Sequence, residues 1–162
     1  MKKFSVLFSI IVILLTSCSV NRSLNLAADK IEGTWQLQKI VSEGVTGDIN
    51  TQLFNEADFH CFIGSTWKFS DLSAGNYSFS ASNGSHNCVA VNRNFSWKIY
   101  TSTEQPMLLQ FKRQGTDGKE IDTNSGGFIF TIIQSEKNNL KLKSDVIIEG
   151  KPAAFIYNFI RI

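Results

Sequence analysis

A two-residue period recurs along most of this chain and is interrupted at short intervals by turn-forming residues. Trp35 and Leu37 alternate with Thr34, Gln36 and Gln38 in the segment from Gly33 to Val41. Thr66-Trp67-Lys68-Phe69-Ser70, Asn76-Tyr77-Ser78-Phe79-Ser80 and Phe95-Ser96-Trp97-Lys98-Ile99 repeat the pattern, and Met107, Leu109 and Phe111 continue it. Residues 127–134 form a nearly continuous apolar run, Leu140-Lys141-Leu142-Lys143 alternates again, and residues 153–162 close the chain. Successive side chains of a strand face opposite ways, so alternation rich in aromatic and β-branched residues predicts half-buried strands. Turn formers separate the runs at Ala74-Gly75-Asn76, Asn83-Gly84, Asp117-Gly118, Lys137-Asn138-Asn139 and Glu149-Gly150-Lys151-Pro152. Only Ile49, Leu53 and Ala57, four residues apart, predict a short helix.

Eight such runs joined by short connections leave no room for crossover helices. The predicted fold is all-β, an eight-stranded antiparallel up-and-down barrel, with a meander sandwich as the other arrangement of the same strands. Closure removes exposed edges, and eight strands enclose an interior that side chains fill or that holds one small ligand. The inner face would carry Trp35, Trp67, Phe69, Tyr77, Phe79, Phe95, Trp97 and Phe111. These rings can wall a pocket or plug it.

The first residues give an address. Lys2 and Lys3 precede an uncharged run of 12 residues, Phe4 to Leu15, too short to span a bilayer but of normal length for a signal-peptide core. Leu15-Thr16-Ser17-Cys18 resembles the lipobox of bacterial lipoproteins, in which the cysteine is acylated and becomes the new N-terminus. The resemblance implies a signal peptide over 1–17 and a palmitate-type anchor on Cys18, and the mixed, polar residues that follow read as a tether over 18–30 with at most one helical turn. The competing reading is an ordinary secretory signal with an incidental cysteine. No acidic residue stands just after Cys18, over residues 19–25, so the periplasmic side of an envelope membrane, the outer membrane foremost, is the expected location.

Removal of Lys2 and Lys3 lowers the 16 basic residues to 14, equal to the 14 acidic ones. A neutral domain presents no field for nucleic acid, and the cluster of Lys137, Lys141, Lys143 and Lys151 does not change that. With Cys18 on the anchor, Cys61 and Cys88 remain, and in an oxidising compartment they most simply pair with each other. Such a bridge would contribute roughly 3–4 kcal/mol by constraining the unfolded chain.

Ile31-Glu32-Gly33-Thr34-Trp35 is similar to the Gly-x-Trp opening of the lipocalin and calycin superfamily. Arg161, near the chain end, matches the basic residue that packs over this tryptophan in that family. Thr66-Trp67-Lys68-Phe69, Gly75-Asn76-Tyr77-Ser78-Phe79 and Phe95-Ser96-Trp97, together with the placement of Cys61 and Cys88, resemble the lipocalin-like domain lipoproteins of envelope bacteria. The resemblance spans residues 31–162 and implies a lipocalin-like barrel in which Gly33, Trp35 and Arg161 close one end as structural residues. The Thr-Asp-Tyr motif of animal lipocalins is missing. The resemblance also makes the long connection from Ser42 to Ile63 a lid over the open mouth, with an entrance near Leu53, Phe54, Phe59 and Phe62; the equal alternative is that these residues pack a short helix on the barrel.

Catalytic patterns are absent: there is no HExxH, GxSxG or P-loop. No enzyme activity and no cofactor are expected. His60-Cys61 and His86-Asn87-Cys88 hold two zinc-type ligand pairs, but a disulfide would consume the thiols, so no metal site is expected. Asp117, Glu120 and Asp122 do not follow the calcium-loop spacing and predict a solvated loop. Asn-x-Ser triplets at Asn76, Asn83 and Asn94 carry no weight in a bacterial chain.

The leading expectation is a membrane-anchored monomer that binds a small hydrophobic or amphipathic molecule, its site drawn from Phe54, Phe62, Trp67, Phe69, Tyr77, Phe79, Trp97 and Phe111. The alternative is a plugged barrel that docks an envelope protein or cell-wall component. An apolar cavity above about 300 Å³ favours the first, and rings meeting along the axis favour the second.

Overall fold

The computed structural model describes residues 26–45, 51–71, 73–83, 86–102, 105–122 and 126–162. The signal segment 1–17, Cys18 and Ile49 lie outside the described residues, as does the start of the tether.

Residues 26–31 are helical (α1), and twelve strands follow: β1 Gly33–Glu43, β2 Gln52–Leu53, β3 Ala57–Asp58, β4 Thr66–Phe69, β5 Ala74–Phe79, β6 Ser82–Asn83, β7 His86–Asn87, β8 Val91–Ser102, β9 Gln105–Arg113, β10 Phe128–Ser135, β11 Asn139–Ile148 and β12 Lys151–Arg161. A four-residue helix, α2 (Phe59–Phe62), follows β3. Eight strands form a closed antiparallel barrel in the order β1-β12-β11-β10-β9-β8-β5-β4, shut by the pairing of β1 with β4. The predicted all-β, up-and-down barrel is the observed fold. β2-β3 and β6-β7 are two small hairpins outside the barrel sheet.

The sequence period sets which residues point inward. Along β4, Trp67 and Phe69 are buried while Lys68 is exposed; along β8, Phe95 and Trp97 are buried while Asn94 and Lys98 are exposed. Leu140 and Leu142 of β11 and Phe155, Tyr157 and Phe159 of β12 complete the core. Burying one such side chain contributes roughly 1.5–3 kcal/mol, so the aromatic face is the main source of stability. At the lower end, Trp35 donates from Nε1 to the Ile31 carbonyl at 2.7 Å and lies under the Arg161 guanidinium, 4.2 Å from the ring centre. Ala27 and Ile31 of α1 are buried there, so residues expected to be tether are in part a plug for the lower end.

Two local expectations change. The helix predicted over 49–57 is absent from its described part: residues 52–58 form the β2–β3 hairpin, and the helix comes later, at Phe59–Phe62. Leu53 is buried because the hairpin folds over the barrel mouth, and that burial has no 3.6-residue period. The turn predicted at Ala74-Gly75-Asn76 is strand instead. Gly75 pairs with Phe95, and a Cβ at Gly75 would overlap the Phe95 ring and the Lys68 carbonyl. Glycine marks a close approach there, not a turn.

Candidate functional site

The upper end of the barrel is closed by the segment from Thr51 to Phe62. Its turn places Phe54 and Asn55 at φ 55° and 50°, a left-handed conformation that costs a residue with a Cβ about 1–2 kcal/mol. Phe54 is directed into the barrel, with its ring 5.2 Å from those of Phe62, Phe111 and Phe128 and 5.8 Å from those of Trp67, Phe130 and Tyr157. Most of these contacts are edge-to-face, the arrangement that the ring quadrupoles favour. Rings also meet across the axis, Trp67 with Phe111 at 5.7 Å and with Phe159 at 5.8 Å. The barrel axis is therefore filled.

A polar network fixes the same loop. The Glu56 carboxylate accepts from Tyr77 Oη at 2.8 Å, from Arg93 Nε at 2.9 Å and Nη2 at 2.7 Å, and from Arg113 Nη1 at 3.4 Å. Arg113 in turn donates to Asp122 through Nε and through Nη2 at 2.6 Å, and to the Asn55 carbonyl at 3.1 Å. Arg113 is 8% exposed and Asp122 5%, so the loop predicted to be solvated at 117–122 instead sends Asp122 inward. A buried cation needs a partner of opposite charge, and Asp122 supplies it. Burial alone would raise the Glu56 pKa. Hydrogen bonds from Arg93 and Tyr77 and the charges of both arginines outweigh that and hold the carboxyl below its usual range. Burial, then the Glu56 hydrogen bond, pushes the Tyr77 phenol well above its ordinary value.

The Cys61–Cys88 disulfide ties the loop's end to the connection between β7 and β8. Loop, carboxylate network and disulfide together close the mouth.

The cavity lies beside the axis, at a seam in the wall. β10 pairs with β11 only over Thr131–Ser135 and Leu140–Lys143, so Phe128–Phe130 and Ser144–Ile148 diverge. Each keeps its other neighbour, β9 and β12 respectively. Between them and Thr51–Asn55 opens a cleft of about 460 Å³, floored by Phe130, Phe155 and Tyr157. Ser144 and Tyr157 pair their hydroxyls inside it at 3.2 Å. Ile129 and the 77% exposed Ile147 stand on its rim.

Of the residues named from the sequence as ligand candidates, Phe54 lines this cleft. Phe62, Trp67, Phe69, Tyr77, Trp97 and Phe111 are buried in the core, and half-buried Phe79 packs against Phe62 at 4.9 Å. The sequence singles out none of Glu56, Arg93 and Arg113, and Asp122 only as part of a loop expected to be solvated. Arg93 keeps the inward phase of Phe95 and Trp97, and Arg113 that of Phe111. A charge on the inner phase of a strand is the signal that could have found them. His60 Nδ1 lies 2.7 Å from Asp58 Oδ1. Among the described residues no group of three His, Cys, Asp or Glu side chains is placed to hold a metal ion, and no helix is long and apolar enough to cross a membrane.

Compared with protein-family models, curated proteins and solved structures, the chain matches none of them. The likeness to lipocalin-like proteins rests on the closed eight-stranded barrel, which is compatible with that fold.

Proposed function

We propose that this chain is a lipid-anchored barrel of the cell envelope that binds a small apolar or amphipathic molecule in the cleft at the β10–β11 seam. The observation that carries the reading is the cleft itself. Its volume of about 460 Å³ falls in the range of small-molecule sites, and it combines an aromatic floor with a few polar groups, as such sites do. The filled axis moves the pocket from the barrel interior, where the sequence placed it, to the seam. Residues 1–17 and Cys18 support the anchor through their lipobox-like order. The proposed role is binding, carried by the aromatic floor and the few polar groups of the cleft.

Titration of the full chain with N-phenyl-1-naphthylamine tests the reading. The expected result is saturable fluorescence enhancement that Val146→Trp, which fills the cleft from β11, abolishes while the fold is retained. Enhancement that is absent, or indifferent to that substitution, overturns it. A second reading, a docking module for an envelope partner, draws on the filled axis and on exposed Ile129 and Ile147 beside the seam. It predicts that Ile147→Asp removes a cross-linked partner without affecting the naphthylamine signal.

A further inference from the structure

The loop that closes the mouth delivers two chemically different groups to the barrel wall. Phe54 fills an aromatic socket between Phe111, Phe128 and Tyr157. Glu56, at the other end of the same turn, lays its carboxylate on Tyr77, Arg93 and Arg113. None of those three partners belongs to the loop: they stand on β5, β8 and β9. Arg113 is held independently by Asp122. The wall therefore carries a carboxylate cradle next to an aromatic socket, and the loop supplies an occupant for each.

The loop's main chain is weakly attached. Among the described residues, the backbone-to-backbone hydrogen bonds of its first part, 51–58, stay within the hairpin, from Glu56 N to Leu53 O and from Phe59 N to Thr51 O, together with the β2–β3 pairing, and attachment to the wall comes only past α2, where Gly64 and Ser65 bond to Leu37 of β1. The wall holds the turn's main chain through Arg113 Nη1 on the Asn55 carbonyl. With Phe54 and Asn55 both at positive φ, the turn is kept in place by what its side chains reach and not by backbone preference. Withdrawal of Glu56 would leave buried Arg113 with Asp122 as its remaining carboxylate and would take the carboxylate from half-buried Arg93, and an incoming carboxylate would restore the balance where a neutral group would not.

Building on the reading of the seam cleft as a ligand site, we infer that the site takes an amphipathic monocarboxylate and that Phe54-Asn55-Glu56 is a built-in stand-in for it. The ligand's headgroup replaces the Glu56 carboxylate on Tyr77, Arg93 and Arg113, and its apolar part takes the socket of Phe54. The cleft, which Phe54 already lines, is the way in. The loop pivots away while the Cys61–Cys88 bridge retains its far end.

Titration of the full chain with dansyl-undecanoate and with its methyl ester tests this. The acid should bind more tightly than the ester. Glu56→Gln should raise affinity for the acid by about tenfold, the worth of one charge-assisted hydrogen bond no longer contested, and leave the ester unchanged. Adding Arg93→Gln should cancel the gain. Equal gains for acid and ester, or no gain for either, overturn the inference. If Glu56→Gln does not fold, hydrogen exchange on the unaltered chain decides: saturating acid should speed exchange in residues 51–58 and the ester should not, and acid binding with unchanged exchange overturns the stand-in. Binding of the naphthylamine without preference for the acid sinks this inference alone. Failure of the naphthylamine, acid and ester together sinks the cleft reading beneath it.

Discussion

Arg161 closes the lower end of the barrel by meeting several needs with one side chain. Its guanidinium covers Trp35 and donates to the carbonyls of Lys137, Glu32 and Lys30 at 2.6, 2.7 and 2.9 Å. Gly33 makes room for it, since a Cβ there would run into the Arg161 guanidinium and the residue sits at φ 129°. Lysine has the charge but not the planar fork, so Arg161→Lys should cost about 2 kcal/mol, read as a lower melting temperature by circular dichroism. An unchanged melting temperature would show that the contact contributes nothing to stability. At the opposite end, Glu56 makes stability depend on acid. Its folded pKa lies below its ordinary value, so its contribution is complete above the usual glutamate range and is lost as pH falls through the folded value. Urea unfolding should give a plateau from neutrality to about pH 5 and a decline below it. Glu56→Gln should lower the plateau and flatten the decline.

At the level of elements, strands were legible and the mouth loop was not. Alternation located most of the barrel strands because a half-buried strand must bury every second residue, and β10 was found instead as a nearly continuous apolar run. Glu149 and Gly150 form the β11–β12 turn with φ 51° and 78°, the two-residue hairpin chemistry expected at that dipeptide, although Lys151 and Pro152 belong to β12 and not to the turn. The loop 51–62 has no such period, because its buried residues face a surface supplied by distant strands. Its disulfide spans a sequence separation of 27. Reduction should therefore lower unfolding stability by about 3.5 kcal/mol in the chain-entropy account, measured as a drop in the urea midpoint with reductant present. A drop below about 1 kcal/mol would mean that the Phe54 socket and Glu56 cradle hold the loop without help from the bridge.

For the whole molecule, the proposed anchor makes its own prediction. Cys18→Ser should move the protein from the membrane to the soluble fraction, remove the mass of the acyl chains, and leave the barrel's circular dichroism unchanged. Membrane retention by the variant would sink the lipid-anchor reading. The sequence by itself determined the strand count and the inward face, since these follow from local periodicity and from short connections between neighbours, whereas the meeting of Trp35 and Arg161 at the lower end was implied by the resemblance to lipocalin-like proteins. Only the tertiary structure decided that the axis is filled, that the pocket sits at a split between β10 and β11, and that Glu56 meets arginines 37 and 57 residues away. The physical reason is distance along the chain. Alternation says which way a side chain points, but what it meets there depends on barrel closure and on where strand pairing stops, and neither leaves a local trace.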